Sequence, residues 1–246
     1  MKSRASGGKL RSLAMDFSRF TTISFDCYGT LIEWEAGILP VVRALLARHN
    51  CSLADAAILE LYGEFEAQAE SGPYRRYGEV LQSVVEAFGE RLGFNPSSAE
   101  IRSLHESVAA WPPFSDTVGA LQRLKKKRYK LAIISNIDDD LFAQTRKFLG
   151  VEFDAVVTAE QAQSYKPSLR NFELALQRLG VGREELLHVG QSIYHDVIPA
   201  QSLGIATVWV NRKSARPGVG AVRAATGKAD LEVPDLATLA DWASAA

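Results

Sequence analysis

One short β-prone run and four later apolar runs, each stopping at a polar residue or a glycine, constrain this chain more than any other feature. Residues 21–25 stop at Asp26 and then Gly29, residues 129–134 at Ser135 and Asn136, and residues 153–157 at Thr158. Residues 186–189 stop at Gly190 and residues 205–210 at Asn211. Amphipathic stretches lie between them at 115–127, 138–149, 168–179 and 194–203. Strand-length runs alternating with helix-length ones predict βαβ units and a parallel sheet. The later runs are nearly continuously apolar, which fits a sheet covered on both faces. The expected fold class is α/β, with a Rossmann-like parallel sheet as its core.

Residues 35–112 break the alternation. Apolar positions there recur at helical spacing (Val41, Leu45 and Leu46; Ile58, Leu61, Tyr62 and Phe65; Val80, Leu81, Val84, Val85 and Phe88), and no strand-like run interrupts them. This predicts an inserted helical cap domain of about four helices between the first two strands. Trp111-Pro112-Pro113 closes the insert, because a proline pair ends a helix and stiffens a connection. The expected organisation is a disordered N-terminal extension over 1–18, a core over 19–34 and 113–246, and a cap over 35–112. Pro-Gly-Val-Gly at 217–220 reads as a loop, and residues 234–246 as a terminal helix.

Composition excludes several classes. A net charge of -1 over 246 residues gives no electrostatic footprint for nucleic acid. No stretch approaches membrane-spanning length. The basic N-terminal residues lack the continuous apolar run of a secretory signal. Two cysteines, Cys27 and Cys51, have neither metal-ligand spacing nor the density of a disulfide framework. A cytoplasmic protein with no nucleic-acid or membrane partner is expected, with a homodimer left open.

In an open α/β sheet, ligands bind outside the carboxyl ends of the strands. The residues there are Asp26, Tyr28 and Thr30; Ser135 and Asn136; Lys166 on the following loop; and Gln191, Ser192 and Asp196. The set suits nucleophilic catalysis. A carboxylate attacks, a lysine offsets its charge and lowers its pKa, and hydroxyl and amide groups orient the substrate. Blander readings stand beside this one. Asp26 can cap a turn, Ser135 and Asn136 can cap a helix, Asp196 can be a first-turn acid, and His188 sits in an apolar strand as a structural residue. Cys27 reads as core. Trp34, Tyr62, Phe65 and Trp111 read as packing or as pocket wall.

The motifs carry a resemblance. Phe-Asp-Cys-Tyr-Gly-Thr-Leu at 25–31 resembles the first motif of the haloacid dehalogenase superfamily. Ser135-Asn136 resembles the second, Ser-Tyr-Lys-Pro at 164–167 the third, and His-Val-Gly-Gln-Ser-Ile-Tyr-His-Asp at 188–196 the fourth. Tyr28 stands where phosphatases of the superfamily usually have a second Asp, and is similar to the type II 2-haloacid dehalogenases. A halide leaves without a proton, so losing that acid costs a dehalogenase little. Gln191 stands where phosphatases commonly have an acid that helps hold magnesium. A neutral amide is a poorer partner for the ion, although Asp26 and Asp196 keep metal binding open.

The resemblance implies a catalytic set of Asp26, Lys166, Ser135 and Asp196. It implies substrate contacts from Tyr28, Thr30, Asn136 and Ser192, and no obligatory cofactor or metal. Asp26 attacks the α-carbon of a small 2-substituted carboxylate, and water hydrolyses the resulting ester. The chain departs from the type II pattern where those enzymes place a halide-binding Arg in the cap; residues 60–65 contain none, and Arg75 and Arg76 are the substitutes nearest in sequence. Phe172 and Ile193 also depart from it. The first and fourth motifs are also similar to a side branch that includes an azetidine-2-carboxylate hydrolase, which opens a ring at a carbon–nitrogen bond. A magnesium-dependent small-molecule phosphatase and a non-catalytic member of the fold are the other readings.

Overall fold

The computed structural model describes residues 15–212, residue 221 and residues 225–245. Six parallel strands form one sheet in the order β3-β2-β1-β4-β5-β6. They are β1 (Thr22–Phe25), β2 (Lys130–Ser135), β3 (Ala155–Thr158), β4 (Leu186–Gly190), β5 (Ala206–Val210) and β6 (Leu231–Val233). Between β1 and β2 run α1 (Trp34–Arg48), α2 (Asp55–Glu70), α3 (Tyr77–Leu92) and two short pieces, α4 (Ser98–Ile101) and α5 (Ser103–Ser107). The crossovers are α6 (Thr117–Lys126), α7 (Asp139–Thr145), α8 (Ala159–Ala162), α9 (Arg170–Leu179) and α10 (Ile198–Ser202), and α11 (Leu236–Ala245) follows β6. No helix of the described residues is long and apolar enough to cross a membrane.

The sheet is buried on both sides because successive side chains of each strand serve different cores. In β2, Leu131 and Ile133 join one cluster with Leu121, Leu124 and Leu239, whereas Ala132 and Ile134 join another with Phe172 and Ala175. Each such Leu, Ile or Phe contributes about 1.5–3 kcal/mol by leaving water. All four residues of β1 are buried, including Thr22 and Ser24. Ser24 is tolerated because it lies beside His188 in β4 and its Oγ is 2.9 Å from the His188 Nδ1.

The insert leaves and re-enters the core through adjacent segments. Glu33 N–H donates to the Pro112 carbonyl at 2.8 Å, and Ile32 bridges Pro113. A carboxylate of the core holds the insert down: Asp138 accepts from the N–H groups of Tyr77 and Gly78, each at 2.8 Å, at the first turn of α3. A carboxylate at a helix N-terminus satisfies amides that have no helical partner.

Three expectations need correction. The N-terminal extension does not reach residue 18. Asp16 caps a turn over Phe17–Arg19, and Phe17 packs into the core; residues 1–14 lie outside the described residues. A sixth strand, β6, was not expected, because it is three residues long with Glu232 exposed at its centre. The stretch at 194–203 is not one helix: a wide turn at Ile193–Val197 precedes α10. The loop expected at 217–220 lies outside the described residues.

Candidate active site

The carboxyl ends of β1, β2 and β4 meet over one ammonium group. Lys166 Nζ donates to Asp26 Oδ1 at 2.9 Å, to Asp196 Oδ1 at 2.6 Å and to the Ile134 carbonyl at 2.9 Å. These three acceptors use all three of its hydrogens. Lys166 is 2% exposed and Asp26 8%. The backbone of Lys166 is fixed by Asn136, whose Oδ1 accepts from the Lys166 N–H at 2.7 Å and whose Nδ2 donates to the Lys166 carbonyl at 3.1 Å.

The two carboxylates have different surroundings. Asp196 Oδ2 accepts from the Ser192 N–H at 3.2 Å, and its Oδ1 lies 3.3 Å from His188 Nε2. An ionised carboxylate only accepts, so His188 donates from Nε2, and its Nδ1 lies within hydrogen-bond distance of Ser24 Oγ. Burial alone raises the Asp196 carboxyl, but Lys166 and His188 outweigh it and hold it well below the usual carboxylate range. Asp26 has fewer partners: Lys166 on Oδ1, and on Oδ2 the Thr30 hydroxyl at 2.7 Å. Burial raises its carboxyl more than Lys166 lowers it, so its pKa lies above the ordinary value. The lysine does act in the expected sense, but burial wins. Burial lowers the Lys166 pKa, and Asp196 and Asp26 more than reverse this, keeping the group an ammonium.

Two glycines make the geometry possible. Gly29 has φ +90°, a conformation that L side chains rarely adopt, and it turns the chain back after Asp26. A Cβ on Gly190 would stand 2.5 Å from the Asp196 carboxyl carbon, so the bare backbone at the end of β4 lets that side chain lie across it.

A cavity of about 50 Å³ opens above these groups. All eight expected residues except Thr30 line it: Asp26, Tyr28, Ser135, Asn136, Lys166, Ser192 and Asp196 are at its wall. Thr30 acts from behind, donating to Asp26 and accepting the Gln191 N–H at 2.9 Å. Ser135 Oγ is buried and has no hydrogen-bond partner. Tyr28 turns its hydroxyl away to Thr145 Oγ1 at 2.7 Å and stacks edge-on against Trp111. Ser192 Oγ is engaged by His195, accepting its N–H at 3.0 Å.

The cap contributes a wall that the sequence reading missed. Glu66 and Glu70 of α2 and Tyr77 of α3 line the same cavity, with Trp34. Glu66 Oε1 accepts from Tyr62 OH at 3.2 Å and from Tyr77 OH, and the two hydroxyls are 3.1 Å apart. Burial raises Glu66 from an ordinary 4.5 to about 7, with the charge of Asp26 adding to the rise. Burial and Glu66 together push Glu70 well above its ordinary value. The signal was present: Ile58, Tyr62, Glu66 and Glu70 recur every four residues and so share one helix face. Phe65 packs edge-on against Phe88, so it is core. Arg75 and Arg76 do not replace a halide-binding Arg. Arg75 donates to Ser83 and the Ala69 carbonyl, and Arg76 pairs with Asp138, Asp140 and Glu160.

A divalent cation prefers several hard oxygen donors converging on one point. Residue 191 offers a neutral amide rather than a carboxylate, and among the described residues no group of three or more His, Cys, Asp or Glu side chains is placed to hold a metal ion.

A family profile described as haloacid dehalogenase-like hydrolase matches residues 20–204. This chain belongs to that family. It is a hydrolase by that membership. Among its relatives, (S)-2-haloacid dehalogenase H-109 of Pseudomonas putida is 29% identical over 226 residues, covering 89% of this chain and 96% of the relative. A glyceraldehyde 3-phosphate phosphatase of Methanothermobacter thermautotrophicus is 34% identical over 142 residues, covering 56% of this chain and 61% of that protein. The L-2-haloacid dehalogenase of Xanthobacter autotrophicus, solved with chloropropionic acid covalently bound, has TM-score 0.76 at 21% identity. The match covers 90% of this chain and 97% of that one, a likeness of fold.

Proposed function

We propose that this haloacid dehalogenase-like hydrolase cleaves a small 2-substituted carboxylate at its α-carbon, with Asp26 as nucleophile. The observation that carries the reading is the Lys166 ammonium held between Asp26 and Asp196 at the wall of one cavity. One carboxylate is fixed as an anion by its neighbours, and the other keeps lone pairs directed at the cavity. Attack by an Asp26 oxygen forms a carbon–oxygen bond as the bond from the α-carbon to the leaving group breaks. Water then adds to the ester carbonyl, the alcohol leaves, and Asp26 is regenerated. Lys166 offsets the anionic charge at each stage, and the unpartnered Ser135 hydroxyl is suited to the substrate carboxylate. Asn136 acts by positioning Lys166. In this reading residues 35–112 form the cap and supply the wall on the leaving-group side.

The named activities of the (S)-2-haloacid relatives support this carbon-centred chemistry. The phosphatase reading has less behind it, since Tyr28 turns its hydroxyl to Thr145 and presents no acid to a leaving alkoxide. The test is a single turnover in heavy-oxygen water with 2-chloropropionate or azetidine-2-carboxylate. Product oxygen should come first from the protein, and Asp26→Asn should abolish turnover. Solvent oxygen in the first product would exclude the ester.

A further inference from the structure

The insert brings no cation to the cavity. No Lys or Arg of residues 35–112 lines it among the described residues, and Lys166 has given its three hydrogens to Asp26, Asp196 and the Ile134 carbonyl. What the insert places there is the carboxyl of Glu66, buried and held from one side only. The two phenols that touch it keep their protons, because burial holds Tyr62 and Tyr77 well above their ordinary range. They therefore donate, and Glu66 Oε1 accepts. Oε2 has no hydrogen-bond partner among the described residues, and it is not sealed into the interior. The one charge that acts on this carboxyl is that of Asp26, which opposes a second anion. A buried carboxyl with no cation beside it stays an acid, and with Oε1 accepting, its hydrogen is on Oε2.

We propose that Glu66 is a catalytic residue: as the neutral acid it presents the Oε2 hydrogen to the atom that leaves the α-carbon. The assignment rests on α-carbon attack by Asp26 and supplies the donor that Arg75 and Arg76 do not. With a halide, an Asp26 oxygen bonds to the α-carbon, the carbon–halogen bond breaks, and the halogen leaves with the electron pair. It departs as an anion hydrogen-bonded to Glu66, which keeps its proton. Hydrolysis of the ester then releases one proton to solvent and regenerates Asp26. A neutral donor has no net charge to draw anions in; its help is one hydrogen bond to a developing charge. That help grows with the acceptor strength of the leaving atom, and is greater for fluoride than for chloride. It also vanishes when Glu66 ionises, since the carboxylate has no hydrogen to give and repels the departing anion.

The titratable groups around Glu66 are Tyr62, Glu70 and Tyr77 from the insert and Asp26, Tyr28, Lys166, His195 and Asp196 from the core. The test must separate Glu66 from all of them. It uses the full chain, with folding verified by circular dichroism, and kcat/KM for 2-fluoropropionate and 2-chloropropionate across pH. The wild type should lose activity on the fluoro acid as pH rises through about 7. Glu66→Gln should remove that alkaline limb, because an amide keeps its hydrogens at every pH, whereas a limb caused by His195 would survive. Tyr77→Phe keeps the carboxyl and removes a donor that favours its charged form, so the limb should move to higher pH. Glu66→Met, which has no donor, should cut kcat/KM by about tenfold or more on the fluoro acid and by less than about threefold on the chloro acid. A limb unchanged in Glu66→Gln, equal losses on the two substrates in Glu66→Met, or turnover of the chloro acid alone would overturn the role of Glu66 and leave Asp26 as the nucleophile. Turnover of neither acid, with p-nitrophenyl phosphate hydrolysed, would overturn both.

Discussion

Replacing Glu66 by Gln should make the protein more stable at alkaline pH and leave it nearly unchanged in acid. Glutamine has the shape of the protonated acid, so it keeps an acceptor for Tyr62 and Tyr77 and a donor on the other side. The structure sets the magnitude. Burial moves the Glu66 carboxyl from 4.5 to about 7 on folding. Between those values the native chain binds a proton that the unfolded chain has lost, so stability falls as pH rises. The difference of 2.5 pH units, from 7 minus 4.5, corresponds to about 3 kcal/mol, an upper figure because Glu66 is electrostatically linked to Asp26. Below the unfolded value the penalty is absent, and above about 7 it is complete. Urea unfolding of both proteins at about pH 5 and about pH 8 isolates it together with the part of the Glu70 shift that Glu66 causes, because titrating groups away from Glu66 are shared and cancel. Wild type should lose up to about 3 kcal/mol more than the variant between the two conditions. Equal losses in the two proteins would refute a buried proton on Glu66.

Other consequences follow from the same geometry. Lys166→Met leaves two buried carboxylates facing each other and should cost about 3–5 kcal/mol in denaturant titration, with turnover lost. Gly190→Ala drives a methyl into the Asp196 carboxyl and should cost about 1–3 kcal/mol; in steady-state kinetics it should lower kcat more than it raises KM. Asp26 must be ionised to attack, so kcat/KM should fall as pH drops through a pKa above the ordinary aspartate value of 3.8. A pH–rate profile with its acid limb at or below that value would contradict the buried setting of Asp26.

Legibility in the sequence depended on where each residue sits. The strands that carry chemistry are buried except at Lys130 and read as β-prone or apolar runs, so their endings at Asp26, Ser135 and Gly190 stood out. β6 has an exposed Glu232 between Leu231 and Val233 and makes no run to detect. Lys166 and Asp196 were found through motifs, since the turn that aims Asp196 is wider than an α-helical one. The direction of Tyr28 could not be read locally, because Thr145, 117 residues away in sequence, takes its hydroxyl. Glu66 and Glu70 were missed for a different reason. Helical periodicity was read from apolar residues, so carboxyls on the buried face of α2 passed as surface positions.

The division of labour between Asp26 and Asp196 comes from what surrounds them, since both touch the same ammonium. Asp196 lies against Gly190, takes the Ser192 amide, and meets a histidine whose other nitrogen is held by Ser24 in the neighbouring strand. The amide and the histidine favour its charged form. Asp26 has one hydroxyl from Thr30 and its share of Lys166, and burial leaves it less stabilised as an anion. A less stabilised carboxylate is the better nucleophile toward carbon, provided that something keeps it ionised at all. Lys166 does that for Asp26 because Asp196, pinned from behind, keeps Lys166 charged. In the proposed mechanism the reactivity of Asp26 is therefore set partly by Ser24 and His188, neither of which lines the cavity.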